Sequence, residues 1–197
     1  TASIFFENRG EIQLLTSSTL DLSIDPNTSV RGTVSMLPLS TLNGSTGTTL
    51  IGNVDMNGGA IFGGNGNSPS GTLTIDGLLR FFSGILFTPI SAEDGLSNSK
   101  VIANSIELNG GHAVFVWDRS GGFLGASDNT VFGDVLGCSG AGCLTGTGFE
   151  TQVNALGVTQ GDLGDFGGGT SDGFDYRTTT LSTAPVVRWT ATSGGVW

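Results

Sequence analysis

The chain has 197 residues, of which 12% are charged, 34 are glycine and 37% are hydrophobic, with a net charge of −10. The chain has seventeen acidic residues and only seven basic residues, which are scattered along the sequence. This distribution excludes the basic patch that binding to a nucleic-acid backbone requires, and it disfavours binding to an anionic membrane surface. Because typical soluble domains are roughly 25% charged, Ser, Thr, Asn and Gly must form much of this surface, as in many extracellular proteins. The hydrophobic content suffices for a core, and the length suits a single domain over residues 1–197.

Apolar and polar residues alternate along most of the chain, a period that predicts half-buried strands. In chain order the runs are 19–25, 29–36, 50–56, 72–76, 101–108, 112–117, 131–136, 174–181 and 186–192, separated by turn signals such as Asn57-Gly58-Gly59 and Asn109-Gly110-Gly111. The apolar run 78–90 carries Arg80 and is too short to span a bilayer, so it predicts a buried strand.

No stretch longer than about ten residues keeps a helical period without a glycine. The sequence therefore predicts an all-β, single-domain β-sandwich or jelly roll. The glycine spacing also suggests a β-solenoid, but strand lengths and turn positions do not recur at one period of roughly 20 to 50 residues, so the solenoid is the minor alternative.

The first 25 residues carry an aromatic pair, Phe5-Phe6, a polar interval, and then the strand Thr16-Ser17-Ser18-Thr19-Leu20-Asp21-Leu22. This pattern resembles the amino-terminal region of the TasA and camelysin family of matrix-fibre proteins and of related archaeal thread-like and bundling pilins. Ser17 and Ser18 stand where that family has Ala-Gly, and the Pro-Gly-Asp turn after the second strand is missing. The resemblance implies a jelly-roll subunit whose amino-terminal strand completes the sheet of the next subunit.

A short apolar strand at a terminus can supply the hydrogen bonds and side chains that another subunit's sheet edge lacks. We therefore treat residues 1–8 as a candidate donor strand with Ala2, Ile4, Phe5 and Phe6 at the subunit interface of a head-to-tail homopolymer. The receiving groove would include Phe81, Phe82, Ile85 and Phe87. The alternative is that residues 1–8 form the first strand of their own molecule's sheet.

Cys138 and Cys143 enclose four residues in a glycine-containing loop. In an oxidising compartment a disulfide would close this loop, and free thiols are the main alternative. A metal site would need two more soft ligands, of which the single histidine, His112, supplies one at most.

Four aspartates, Asp162, Asp165, Asp172 and Asp175, lie in a glycine-rich segment. Oxygen ligands on a pliable loop suit Ca²⁺, although the spacing is neither that of an EF-hand nor that of a repeated nonapeptide. An acidic, solvated loop is the other interpretation, and no further cofactor is predicted.

No catalytic centre is predicted. His112 shares a strand face with Val114 and Val116, which is typical of a structural histidine, and no strained strand-to-helix elbow singles out one of the many serines as a nucleophile. The five glutamates show no pattern of a paired-carboxylate site, so an unrecognised carboxylate-dependent hydrolase is a minor alternative.

The sequence favours a secreted, self-assembling filament subunit of the cell surface, as a pilus or matrix fibre. The start at Thr1, without an initiator methionine, is what removal of a signal peptide would leave. The alternative is an adhesin module that binds carbohydrate or another surface, with Trp117, Trp189 or Trp197 stacking on sugar rings.

Overall fold

The computed structural model describes residues 5–22, 29–45, 47–66, 68–91, 97–117, 130–139, 142–146, 148–152, 161–164 and 173–178. These ranges contain strands and no helix, which confirms the all-β prediction for them, and they hold no helix long and apolar enough to cross a membrane. The strands are β1 (Phe5–Leu14), β2 (Thr19–Asp21), β3 (Ser29–Met36), β4 (Thr41–Asn43), β5 (Thr48–Ile51), β6 (Val54–Phe62), β7 (Thr72–Ser91), β8 (Ser97–Asn98), β9 (Lys100–Leu108), β10 (His112–Trp117), β11 (Val131–Cys138), β12 (Leu144–Thr145), β13 (Glu150–Gln152), β14 (Gly161–Gly164) and β15 (Gly173–Thr178).

Most of these strands pair in parallel with the strand one turn further along a stack of coils. The coils cover residues 5–21, 29–43, 48–62, 72–90 and 100–117, and the described parts of 131–152, and we number them 1 to 6. The chain changes direction twice within a coil, so each coil contributes to three faces. In coil 4 the single strand β7 crosses all three faces. It pairs with β5 and β9 within residues 72–76, with β6 and β9 at 79–81, and with β6 and β10 at 85–87.

This architecture is a β-solenoid-like stack, and the predicted sandwich or jelly roll does not describe it. A sandwich is built from antiparallel sheets, whereas here antiparallel pairing within the described residues is confined to β7–β8, β11–β15 and β14–β15. The coils lack a common length. One inward position on the third face recurs after 22, 19, 25 and 27 residues, at Leu20, Leu42, Ile61, Leu86 and Ala113.

The hydrophobic core runs through the middle of the stack as ladders of equivalent side chains. On the second face, Met36, Met56 and Phe81 pair in register and are fully buried, with Leu14 and Leu108 at either end of the same row. The described core is a single cluster that extends from Leu14 to Cys138.

Glycine forms the corner between the first and second faces in coils 2 to 4, at Gly32, Gly52 and Gly77. A Cβ atom on Gly52 would lie 2.2 Å from the Gly32 oxygen, and one on Gly77 would lie 2.1 Å from the Gly52 oxygen. The backbones of successive coils therefore approach too closely here for any side chain. The sequence prediction of one strand over 50–56 missed this corner, which separates β5 from β6.

The first face ends in an antiparallel arrangement. After coil 6 the order of strands is β11, β15 and β14, and β15 runs antiparallel to both of its neighbours. On the second and third faces the last described strands are β12 and β13, which are parallel to β9 and β10. The predicted strand at 186–192 and the last three residues of 174–181 lie outside the described residues.

Candidate functional site

The candidate donor strand forms part of the chain's own first coil. Phe5 pairs with Ser29 and Phe6 with Val30, in parallel and within the same molecule. For these two residues the alternative prediction applies, in which β1 is the first strand of its own molecule's sheet. Ala2 and Ile4 lie outside the described residues. Strand donation would require Phe5 and Phe6 to leave this register.

The four apolar residues predicted to line a receiving groove point to different environments. Phe81 is fully buried in the core, whereas Phe82 is 48% exposed. Ile85 and Phe87 are half-buried on the outer side of the third face, where Phe87 contacts Phe62 with ring centroids 4.8 Å apart. They do not form one groove, because strand alternation turns Phe81 inward and the others outward.

Cys138 and Cys143 form a disulfide that links the end of β11 to the residue before β12. Cys138 is buried in the core cluster and Cys143 packs against it. The bond fixes the direction of the chain as it passes from the first to the second face of coil 6.

The acidic segment is described in part. Asp175 is buried, and its Oδ1 accepts a hydrogen bond of 3.0 Å from the backbone N–H of Asp134. Asp162 lies in β14 opposite Arg177, and Asp165 and Asp172 lie outside the described residues. The described side chains include no group of three or more potential metal ligands, so the calcium site stays a prediction.

His112 and Trp117 begin and end β10. His112 is half-buried, on the outward side of the strand, and Ala113 and Phe115 point into the core. Trp189 and Trp197, the other two tryptophans of the carbohydrate-binding alternative, lie outside the described residues.

The most distinctive surface is the corner between the second and third faces, which we call the Leu39 edge. It consists of the turns 15–18, 37–40, 57–59, 82–84 and 109–111, one from each of coils 1 to 5. In every turn the residue three positions after the buried row of Leu14, Met36, Met56, Phe81 and Leu108 has a positive φ. The values are 63°, 64°, 73°, 105° and 89° at Ser17, Leu39, Gly59, Gly84 and Gly111.

Hydrogen bonds hold these turns in register. In coils 1 and 2 a serine closes the turn, with Ser18 donating from its N–H and its hydroxyl to the Leu15 oxygen and Ser40 donating likewise to the Leu37 oxygen. Between coils, the Ala60 N–H donates to the Ser40 oxygen at 2.8 Å. The turns of coils 1 and 2 are therefore closed by hydrogen bonds, and a further bond joins the edge of coil 2 to coil 3.

The Leu39 edge is uncharged and exposes large apolar side chains. Among the described residues, the large apolar side chains that are exposed are Leu15 (57%), Leu39 (73%) and Phe82 (48%), and all three lie on it. The five turns contain no charged residue. An open groove of about 360 Å³ adjoins them, lined by Pro38, Leu39, Ser40, Thr41, Gly59, Ala60, Gly84 and Ile85.

Sequence reasoning recognised the Asn-Gly-Gly turns of coils 3 and 5 but missed the edge as a whole. The recurrence of two Asn-Gly-Gly turns after strands of the same face was the available signal. The Leu37-Pro38-Leu39-Ser40 turn contains no glycine, so nothing marked it as equivalent.

The second face carries an ion pair on its outer side. The Arg80 guanidinium binds both carboxylate oxygens of Asp55, at 2.9 and 3.3 Å, and Glu107 is the next residue in the same row. The Arg80 guanidinium also lies 5.7 Å from the ring centroid of Phe82, which anchors that aromatic side chain to the edge.

Comparisons with protein-family models, with curated proteins and with solved structures found no match. The functional interpretation therefore depends on the geometry of the stack and of its surfaces.

Proposed function

We propose that the chain is an extracellular structural protein that assembles head to tail into a filament through the end of its stack at coil 1. The proposal keeps the self-assembly expected from the sequence but changes the contact. The joining surface is the end of an already folded first coil, in place of a donated strand.

The exposure of two core-facing residues in coil 1 carries this proposal. Ile12 and Leu20 occupy inward rows in which the equivalent residues of coils 2 to 5 are fully buried, yet both are only half-buried themselves. Those equivalents are Val34, Val54, Leu79 and Ile106 for Ile12, and Leu42, Ile61, Leu86 and Ala113 for Leu20. One more coil would cover Ile12 and Leu20, and burial of apolar surface is the main driving force of association.

Parallel pairing favours a head-to-tail order. The strands β12 and β13 run in the same direction as β1 and β2 and are the last described strands of their faces. Coil 1 of one copy can therefore continue the second and third faces beyond β12 and β13 of another, whereas on the first face β15 and β14 already follow β11. A contact between unlike ends propagates into a filament.

An extracellular location has two supports. The surface depends on uncharged polar residues rather than on charge. The Cys138–Cys143 disulfide is of the kind that forms and persists in oxidising compartments.

A charged residue at the stack end tests the proposal. We expect Ile12→Asp to abolish end-to-end association, because the new carboxylate would be desolvated between two copies. Gln13→Asp is the matched control, since Gln13 is an exposed neighbour in β1 and the substitution adds the same charge. Sedimentation velocity measures the assemblies and thermal melting verifies that each variant is folded. Equal association of the two variants would contradict the proposal.

A further inference from the structure

We propose that the Leu39 edge is a lateral dimerisation surface at which two copies of this chain meet about a two-fold axis. This contact is distinct from the end-to-end contact at coil 1, and either can exist without the other. Its partner is a second copy because the edge is complementary to itself in shape and carries no charge.

The conformation of Leu39 is the first observation. Its φ of 64° lies in the left-handed region, where the equivalent turns of coils 3, 4 and 5 have glycine. A bulky residue is strained in this region. The leucine is also 73% exposed, so within the chain its side chain gains little from burial. A strained and exposed leucine is explained by a contact that the single chain does not make.

The shape of the edge is the second observation. Leu39 projects from coil 2 and Phe82 from coil 4, while coil 3 between them has the turn Asn57-Gly58-Gly59. The groove beside this turn is bounded by Pro38 and Thr41 on one side and by Gly84 and Ile85 on the other. A Cβ atom on Gly59 would lie 2.5 Å from the Ser40 oxygen, so this depression cannot be filled by the chain's own side chain at that position.

Projection and depression are therefore neighbours along the edge. A two-fold axis at the level between coils 2 and 3 brings coil 2 of each copy opposite coil 3 of the other. Leu39 then lies at the level of the partner's glycine turn and groove. The same axis brings coil 1 opposite coil 4, which places Leu15 at the level of the partner's Phe82. All three exposed apolar side chains of the described edge are used in this arrangement.

Charge favours this place of contact. Two copies with a net charge of −10 each repel one another over most of their surfaces, and repulsion of this kind keeps proteins apart. The five turns of the edge are uncharged, so contact there brings no carboxylate of these turns against another. A contact between two edges is smaller than a standard interface of about 1,600 Å², and the dimer is accordingly weak and strengthened by salt.

Leu39→Gly provides the test, because glycine occupies this position in three other coils and preserves the fold. In Ile12→Asp protein, in which the end-to-end contact is blocked, we expect Leu39→Gly to lower the lateral association constant of the full chain at least about tenfold, as measured by sedimentation across micromolar to millimolar concentrations. Ile51→Ser, which removes an apolar side chain from the outer side of the first face, is the control and leaves association unchanged. Ile12→Asp protein that stays monomeric, or a double variant with Leu39→Gly that associates as Ile12→Asp protein does, overturns the proposal.

Cross-linking locates the contact. Leu39→Cys protein mixed with Ala60→Cys protein should form a mixed disulfide at least about tenfold faster than Leu39→Cys mixed with Thr49→Cys, whose cysteine lies on the first face, because the contact holds the first pair of thiols close together. Equal rates overturn the proposed arrangement. Ile12→Asp protein should give the same cross-link, so failure of the end-to-end assembly and failure of this dimer are distinguishable.

Discussion

Two fully buried threonines occupy inward positions of the stack, and they differ in their hydrogen bonding. Thr48 pairs in register with Leu73; its hydroxyl donates to the Ser45 oxygen and accepts from the Ser45 N–H. Thr88 pairs with Phe115, and within the described structure its hydroxyl has no hydrogen-bond partner. A buried hydroxyl without a partner destabilises a fold, whereas a bonded one is close to neutral or stabilising.

We expect Thr88→Val to raise the free energy of unfolding by about 1 kcal/mol, because valine has the same shape without the unmatched hydroxyl. Thr48→Val should lower it by about 1 kcal/mol or more, since the Ser45 N–H loses its acceptor. Thermal or denaturant unfolding of the two variants measures both changes. A lower stability of Thr88→Val than of the wild type would mean that the hydroxyl has a partner.

At the scale of the structural element, the corners determine the shape of each coil. At the first corner, successive glycine backbones are in contact, and at the Leu39 edge a left-handed residue reverses the chain. The strands differ in length, and β7 crosses three faces without interruption. Substitutions at the corners should therefore disturb the stack more than substitutions on the outer faces.

Gly77→Ala tests this at the first corner. The new methyl group would lie 2.1 Å from the Gly52 oxygen, a backbone atom that moves only if two coils separate, so we expect a loss of stability of about 2 kcal/mol or more. Gly66→Ala is the control, because a Cβ atom there meets nothing within 4 Å although φ is 55°. Gly66→Ala should lower the free energy of unfolding by no more than the backbone strain, about 1 kcal/mol. Equal losses of stability in the two variants would contradict close packing at the corner.

The strands were predictable from the sequence but their arrangement was not. Alternation identified residues 29–36, 101–108 and 112–117 because every second side chain there enters the core. The stack was missed because the segments between coils differ in length, so no fixed period appears. The Cys138–Cys143 pair was recognisable from its spacing, whereas Leu39 was not, because a positive φ at a leucine leaves no mark in the sequence.

At the scale of the whole molecule, a chain with few charges and a net charge of −10 has two kinds of apolar surface. One is the end of the core at Ile12 and Leu20, and the other is the Leu39 edge. The first would extend the stack along its axis, and the second would join stacks side by side. Together these contacts would give a fibre that is both long and laterally paired.

Electron microscopy of Leu39→Gly protein tests the end-to-end assembly most directly, because this variant removes the lateral contact and leaves the stack ends intact. We expect single filaments, one coil stack wide, that lengthen with protein concentration. We expect no filaments from the double variant that carries both Leu39→Gly and Ile12→Asp. Particles that remain single stacks at every concentration, or filaments that persist in the double variant, would contradict end-to-end assembly.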